Sequence, residues 1–132
     1  MEITVAQNAG FCPGVGLAIK KANELLKQEQ PVYCLGEIVH NNQVIQDLEN
    51  KGMITVNSVE EVPENATMII RSHGEPPITY QKAKERNLKV MDVTCSNVKL
   101  VHDKVEREKA GSFIIIIGVK NHPEVIATFG FS

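Results

Sequence analysis

The sequence lacks a strong excess of charge of either sign. It has 14 lysine and arginine residues against 16 aspartate and glutamate residues, which gives a formal net charge of −2 and a pI of about 6.1. These charges are interspersed along the expected helices and do not form the basic stripe that is typical of nucleic-acid-binding proteins. We therefore expect no nucleic acid among the partners of this chain.

Long hydrophobic runs are also missing. The longest apolar run, at residues 113–117, is far shorter than the ~20 residues that a membrane-crossing helix needs. The N-terminus has no basic segment followed by an apolar stretch, so we expect neither a signal peptide nor membrane attachment. Three cysteines, an odd number, without a secretion signal favour reduced thiols and a cytoplasmic location over disulfide bonds.

What the sequence does contain is an alternation of short apolar strands and amphipathic helices, over a length of 132 residues that suits one domain or one domain and part of another. The strands are expected at 3–6, 32–35, 53–56, 67–70, 89–93 and 112–117. The helices are expected at 15–30, 41–52 and 76–87, then as a long charged helix after residue 93 with Val98, Val101 and Val105 on one face, and from 123 to the end. This order predicts an α/β fold with a mostly parallel sheet flanked by helices. The β-branched run at 112–117 is typical of a fully buried parallel strand.

Five of the expected strands lead into a turn that contains a cysteine or a histidine. These turns are residues 9–14, 36–41, 71–74, 92–95 and 120–124. In a parallel sheet, turns of this kind lie along the carboxyl edge of the strands, where ligands of open α/β folds bind. We therefore expect two thiols and three imidazoles to converge on one crevice, as a metal or cluster site beside an anion pocket.

The cysteines fall into two classes. Cys12 and Cys95 each stand directly before a helix, where free amides and the helix dipole favour the thiolate that iron–sulfur clusters require. The alternative is that both are small buried residues near turns. Cys34 lies inside a strand and is expected to be a buried core thiol. A zinc site is conceivable, although no Cys-x-x-Cys pair is present.

The histidines also separate by position. His40, His73 and His122 precede or open helices, and imidazoles beside free backbone amides suit a diphosphate. A structural hydrogen bond is the alternative for each of them taken alone. His102 lies within a charged helix and is expected to be solvent-exposed.

Two charged residues near these turns have two possible roles each. Glu124 could complement the dipole of its helix or serve as a proton donor to a substrate oxygen. Arg71 could be an ion-pair partner or a ligand contact. The glycine-rich stretch at 10–16 has the wrong spacing for a dinucleotide-binding fingerprint, so a Rossmann interpretation is weak.

Taken together, the segments 9–15, 35–41, 70–74, 92–95 and 118–125 resemble the 4-hydroxy-3-methylbut-2-enyl diphosphate reductase (IspH/LytB) family, which catalyses the last step of the methylerythritol phosphate route to isoprenoids. The resemblance covers about the N-terminal half of a family member. It implies one complete lobe plus part of a second lobe of a three-lobed reductase. Residues 1–12 would be an N-terminal strand and the first cluster-ligand turn, 13–95 the first α/β lobe, and 96–132 an incomplete second lobe.

The resemblance also implies roles for the residues of the turns. A 4Fe-4S cluster is held in the family by three cysteines, of which Cys12 and Cys95 match two, while the third lies beyond this chain. His40, His73 and His122 match the histidines that hold the substrate diphosphate. Glu124 matches the carboxylate that delivers a proton to the allylic hydroxyl. Ser96 stands where the family usually has proline, and it can cap the following helix.

The implied reaction is the reductive removal of that hydroxyl as water, which gives isopentenyl or dimethylallyl diphosphate with electrons from a donor such as ferredoxin or flavodoxin. The alternative function is a non-catalytic phosphate- or metal-binding remnant of the same fold without a working cluster, since two cysteine ligands are few. The resemblance further places residues 3–6 against a lobe that this chain lacks, so we expect weak order there.

Overall fold

A parallel sheet forms the centre of the structure, a computed structural model that describes residues 1–7 and 9–132. The strands are β1 (Val32–Leu35), β2 (Met53–Val56), β3 (Thr67–Ile70) and β4 (Lys89–Asp92). The helices are α1 (Pro13–Leu26), α2 (Asn42–Asn50), α3 (Pro77–Glu85), α4 (Ser96–Glu108) and α5 (Pro123–Phe129), with a 3-10 turn at Val59–Glu61. The expected α/β class, a parallel sheet flanked by helices, is confirmed.

The order of the strands determines which turns meet. The order is β2-β1-β3-β4, and every neighbouring pair is parallel. Leu35, Ile70 and Asp92 stand in register, so β1, β3 and β4 end at the same edge. Winding reverses between β1 and β3, and ligands of open α/β sheets bind at such a reversal. The turns after β1 and β3 contain His40 and His73.

The sheet is covered on both faces. On one face, the inner residues of α1 recur at helical spacing and pack on the strands; they are Ala18, Ala22, Leu25 and Leu26. On the other face, α3 and the 3-10 turn cover Met68 and Ile70. Ile69 points to the first core while Met68 and Ile70 point to the second, as the alternation of a strand requires. All four residues of β3 are therefore buried.

Two of the expected strands, at 3–6 and 112–117, do not form, so these predictions are wrong. Residues 3–6 and 112–117 have no strand structure, and Phe113, Ile115 and Ile117 are 104%, 84% and 94% exposed. An apolar β-branched run forms a strand only where a neighbouring strand can pair with its backbone. Among the described residues, no strand lies beside either segment.

The expectation for His102 is also wrong, because this side chain is buried with only 4% of its surface exposed. Its ring stacks on Phe131 with ring centres 4.3 Å apart. His102 lies on the same helical face as the half-buried Val98 and the buried Val105, at spacings of four and three residues. The charged residues next to it in the sequence, Asp103 and Lys104, are exposed. At the end of the chain, α5 stops at Phe129 and does not continue to Ser132 as expected.

Within residues 1–7 and 9–132, no helix combines the length and the apolar character that crossing a bilayer would require.

Candidate functional site

Three histidines that are far apart in the sequence form one cluster at the carboxyl edge of the sheet. The ring centres of His40 and His73 are 4.9 Å apart, those of His73 and His122 are 5.6 Å apart, and those of His40 and His122 are 6.2 Å apart. Each ring offers a nitrogen within 4.8 Å of a nitrogen of the other two. The structure therefore brings together the three imidazoles that the turns predicted. We call this group the histidine cluster.

His73 is half-buried within the histidine cluster. Burial, followed by electrostatic repulsion from His40, Arg71 and His122, lowers the pKa of His73 to about 4. The ring is therefore neutral at pH 7 and presents one N–H donor and one lone pair. Its Nδ1 atom is buried and has no hydrogen-bond partner among the described residues. A buried polar atom of this kind normally has a partner, so the position is suited to a ligand.

His122 caps the N-terminus of α5. Its Nδ1 atom accepts a hydrogen bond from the backbone N–H of Glu124 at 3.3 Å. Because Nδ1 is the acceptor, the proton of the neutral ring lies on Nε2, which is then a donor. Glu124 itself is exposed and stands in the first turn of the helix, two positions after the cap.

His40 is the most accessible member of the histidine cluster. Its side chain is 58% exposed, and its Nδ1 atom lies 3.6 Å from the carboxylate of Glu37 in the same turn. The next residue, Asn41, caps α2 by accepting a hydrogen bond from the N–H of Val44 at 3.1 Å. This cap fixes the backbone directly after His40.

Arg71 lies in the turn that carries His73 and contacts Gly36 in the turn that carries His40. Its guanidinium lies against Gly36, whose φ of +69° is a left-handed conformation, and it occupies the space that a side chain at position 36 would need. It forms an ion pair with Glu75 at 3.1 Å, with side chains only 18% and 12% exposed. Burial raises the pKa of Glu75, and Arg71 opposes that rise. Of the two roles left open for Arg71, the structure shows the ion pair.

Cys12 and Cys95 are the residues that precede α1 and α4, and neither side chain caps its own helix. Cys12 is exposed and Cys95 is partly buried, and both are free thiols. The Sγ atom of Cys95 packs against Gly14 in the first turn of α1, 2.9 Å from where a Cβ on Gly14 would stand. The starts of these two helices are therefore in contact.

The turn before Cys95 is fixed by hydrogen bonds in two directions. The Cys95 N–H donates to the carbonyl of Ser72, directly before His73, at 3.0 Å. Asp92 accepts a hydrogen bond from the Thr94 N–H at 2.9 Å and pairs with Lys99 at 2.8 Å. Although burial alone raises the pKa of Asp92, the hydrogen bonds from Lys99 and Thr94 outweigh it and hold the pKa below its usual value. Asp92 thus holds a negative charge that orders this turn.

A cavity of about 200 Å³ lies between the segment that carries Cys12 and two of the three histidines. Its lining comes from the residues that flank Cys12, from the His40 turn and from the His73 turn; they are Phe11, Val15, Val39, His40, Asn41, Ser72 and His73. The cavity is mainly apolar apart from the two imidazoles, the Asn41 amide and the Ser72 hydroxyl. An apolar hollow with a few converging polar groups is the usual form of a small-molecule site.

Cys34 does not belong to this site. It is completely buried in β1, and burial raises the pKa of its thiol to about 12. The expectation of a buried core thiol is confirmed. A thiol with such a pKa is not a thiolate at neutral pH, so Cys34 is unsuited to ligate a cluster. The donors that fit an iron–sulfur group are Cys12 and Cys95, which provide two accessible thiols at touching helix starts.

The sequence reasoning missed two contributors to this geometry. Glu75 lies four residues after Arg71, a spacing at which opposite charges commonly pair, and that spacing could have identified it. Gly14 could not have been found in this way, because its contact is with Cys95 on a distant segment.

The chain is similar in sequence to known proteins. The family model described as LytB protein matches residues 3–132. The chain is 45% identical to the 4-hydroxy-3-methylbut-2-enyl diphosphate reductase of Clostridioides difficile, over 99% of this chain and 48% of that relative. It is 46% identical to the enzyme of the same name from Aquifex aeolicus, over 99% of this chain and 46% of that relative.

Two solved structures are similar in fold. The E-1-hydroxy-2-methyl-but-2-enyl-4-diphosphate reductase of Plasmodium falciparum superposes with a TM-score of 0.91 and 38% identity, covering 96% of this chain and 40% of that one. An (E)-4-hydroxy-3-methyl-but-2-enyl diphosphate reductase, described as the terminal enzyme of the non-mevalonate pathway, superposes with a TM-score of 0.84 and 46% identity, covering 98% of this chain and 46% of that one. The chain spans about half the length of the curated relatives it matches.

Proposed function

Because the chain belongs to the LytB protein family, we propose that it carries the N-terminal half of a 4-hydroxy-3-methylbut-2-enyl diphosphate reductase. In the proposed reaction the bond from carbon to the hydroxyl oxygen breaks, the oxygen leaves as water and a C–H bond forms, with two electrons and two protons consumed. The products are isopentenyl and dimethylallyl diphosphate. The observation that carries the proposal is that His40, His73 and residues flanking Cys12 line one cavity, with His122 grouped beside the two histidines.

The histidine cluster is the proposed site for the substrate diphosphate. His122 is able to donate from Nε2, because its Nδ1 already accepts the Glu124 N–H. Nδ1 of His73 is buried and has no hydrogen-bond partner among the described residues. If Nδ1 carries the ring proton, it can donate a hydrogen bond to a phosphate oxygen. The start of α5 lies beside His122 and adds the positive end of a helix dipole. Anchoring the diphosphate in this way positions the rest of the substrate.

Glu124 is the proposed proton donor to the departing hydroxyl. It stands next to the histidine cluster, since its own N–H is bonded to His122. Its side chain is exposed, so no buried interaction has to be broken before it can reach a substrate. A carboxylic acid held within hydrogen-bond reach of a leaving oxygen is the usual arrangement for general-acid catalysis.

The proposed cofactor is a 4Fe-4S cluster held partly by Cys12 and Cys95, with its third ligand outside this pair. When bound, such a group supplies the electrons of the reduction. The protein residues would orient the substrate beside it: Gly14 leaves the space that Cys95 occupies, and Asp92 orders the turn before Cys95. We also propose a ferredoxin or flavodoxin as electron donor, a cytoplasmic location, and a division into 1–12, a first lobe at 13–95 and an incomplete second lobe at 96–132.

A second candidate function is a non-catalytic module that binds phosphate but holds no working cluster. It is favoured by one observation, that only two of the three cysteines are accessible to ligate iron. The two candidates agree on the histidine cluster and differ on the thiols.

The first experiment tests the histidine cluster by titrating inorganic diphosphate into the chain by calorimetry. Replacing His40 or His73 by alanine removes a hydrogen bond to a charged group, so each variant should bind roughly tenfold more weakly or worse. The matched control is Lys51→Ala, which removes an exposed cation paired with Asp47 far along α2 and should leave the dissociation constant unchanged. Equal affinity of His40→Ala, His73→Ala and the parent chain would contradict the diphosphate site.

The second experiment separates the two candidates. The chain is incubated anaerobically with ferrous iron, sulfide and a small thiol, and bound cluster is followed by visible absorbance and by electron paramagnetic resonance after reduction. The reductase proposal expects a cluster signal that Cys12→Ser and Cys95→Ser each abolish and that Cys34→Ala leaves intact. A chain that binds diphosphate and takes up no iron and sulfide would instead support the non-catalytic module.

A further inference from the structure

We propose that the histidine cluster is also a binding site for a divalent transition-metal ion such as Zn²⁺, which enters when no diphosphate occupies it. The inference concerns the same three side chains but does not depend on the reductase function. Its basis is that His40, His73 and His122 each direct a nitrogen into one small volume. Three imidazoles with an open fourth position form a common zinc-binding set.

The spacing of the nitrogens is close to what a single ion requires. They lie within 4.8 Å of one another. Zinc–nitrogen bonds of about 2.0–2.1 Å place three tetrahedral ligand atoms about 3.4 Å apart. The His40 side chain is 58% exposed and free to rotate toward the other two rings, so a small inward movement closes the difference.

The surroundings of His73 suit a metal ligand. The ring is half-buried and lines the cavity beside His40. Its buried Nδ1 atom has no hydrogen-bond partner among the described residues. A metal ion would bind either this nitrogen or the other nitrogen of the ring. In the second case Nδ1 carries the ring proton and becomes a hydrogen-bond donor toward the cavity, so in both cases Nδ1 gains a role.

The charges around the histidine cluster allow a cation to enter. Arg71 opposes it, but its charge is offset by the buried ion pair with Glu75 at 3.1 Å. The carboxylate of Glu37 lies 3.6 Å from Nδ1 of His40 and adds negative charge beside the histidine cluster. Glu124, two positions after the helix cap His122, adds a second negative charge nearby.

Metal binding should leave a specific mark on the backbone of α5. In the free chain, Nδ1 of His122 accepts the Glu124 N–H. A metal on Nδ1 replaces that hydrogen bond, and a metal on Nε2 moves the ring proton to Nδ1, which then cannot accept. In either case the Glu124 amide is released, whereas an anion bound to Nε2–H leaves it in place.

The accessible thiols must be removed from the test, because Cys12 and Cys95 are themselves good zinc ligands. The experiment therefore uses the 132-residue chain with Cys12→Ser and Cys95→Ser, titrated with zinc chloride by calorimetry and by ¹⁵N NMR of the histidine rings. The expected result is one zinc per chain, perturbed ring nitrogens of His40, His73 and His122, and faster hydrogen exchange of the Glu124 amide.

The matched variants identify the ligands. His40→Ala, at an exposed position that does not support the core, should weaken zinc binding roughly tenfold or more. His102→Gln removes the remaining imidazole, outside the histidine cluster, and should keep the affinity, with its fold verified by circular dichroism. Undiminished zinc binding by His40→Ala, or no zinc binding by the cysteine-free parent, would overturn the inference. Diphosphate binding by that same parent would show that the failure concerns the metal site alone.

Discussion

The Sγ atom of Cys95 stands 2.9 Å from the position that a Cβ on Gly14 would take. Gly14→Ala should therefore displace Cys95 and cost about 1–3 kcal/mol through overpacking, against a gain of up to about 1 kcal/mol from better helix propensity. The matched control is Gly16→Ala in the same helix, where an added Cβ meets nothing within 4 Å. That variant should stabilise the chain by about 0.5–1 kcal/mol.

Urea unfolding of the two variants measures this difference. We expect Gly16→Ala to be more stable than the parent chain and Gly14→Ala to be less stable, with Gly14→Ala also weakening iron and sulfide uptake. Equal stabilisation by both substitutions would show that Cys95 does not pack on α1 as described.

The ion pair between Arg71 and Glu75 provides a second prediction. Arg71→Met leaves the Glu75 carboxylate largely buried without its partner, which should cost roughly 2–4 kcal/mol, near the lower end for a broken buried pair. The double variant Arg71→Met with Glu75→Gln removes both charges and should recover part of that loss. Guanidinium unfolding of the parent, the two single variants and the double variant gives the coupling energy. A double variant as unstable as the sum of the singles would contradict it.

The neutral state of His73 makes stability depend on pH. Its pKa of about 4 in the folded chain lies below the value of about 6.5 in the unfolded chain. As the pH falls below about 6.5, the unfolded chain takes up this proton first, so the free energy of unfolding decreases until about pH 4. His73→Asn, which does not titrate, should flatten the pH profile of stability in this window.

Asp92 serves as the control for that pH profile. Its pKa is lowered in the folded chain, so its contribution is present above the unfolded value of about 4 and is lost as the pH falls further. Asp92→Asn should therefore change the profile below about pH 4 and leave its shape between pH 6.5 and 4 unaltered. Chemical unfolding at pH 7, 5.5, 4.5 and 3.5 distinguishes the two. An unchanged slope in His73→Asn would disprove the assignment.

The three thiols should differ in reactivity. Cys34 is completely buried with a pKa of about 12, whereas Cys12 is exposed and Cys95 is partly exposed. A thiol reagent such as dithionitrobenzoate should therefore modify two thiols in the folded chain at pH 8 and the third only after denaturation. Mass spectrometry of the labelled peptides identifies them. Rapid labelling of Cys34 in the folded chain would show that β1 is not in the core.

The sequence predicts correctly the strands that are short apolar runs bounded by turn residues. The strands at 32–35, 53–56 and 67–70 have the predicted bounds, because each is a short apolar run between turn residues. The burial of His102 was also present in the sequence, since it lies between Val98 and Val105 on one helical face, but the charges of its neighbours obscured that spacing.

Other features depend on contacts between distant segments. The apolar pattern at 112–117 predicts a strand, yet the backbone partner that a strand requires is not specified by the pattern itself. At the site, the parallel sheet explains why His40 and His73 meet, because they follow the neighbouring strands β1 and β3. In the described part of the chain, His122 follows no strand, so its place beside them depends on contacts that the strand pattern does not specify. The need for glycine at 14 and 36 followed only from the side chains of Cys95 and Arg71, which approach from other segments.

The unpaired segment at 113–119 has a consequence for the behaviour of the chain in solution. Phe113, Ile115, Ile117 and Val119 present alternate side chains to water, and no strand among the described residues pairs with this segment. An exposed apolar segment of this kind can pair with a second, extended polypeptide. We expect this segment to make the chain self-associate more strongly as the concentration rises. The combined substitutions Ile115→Lys and Ile117→Lys should abolish that self-association.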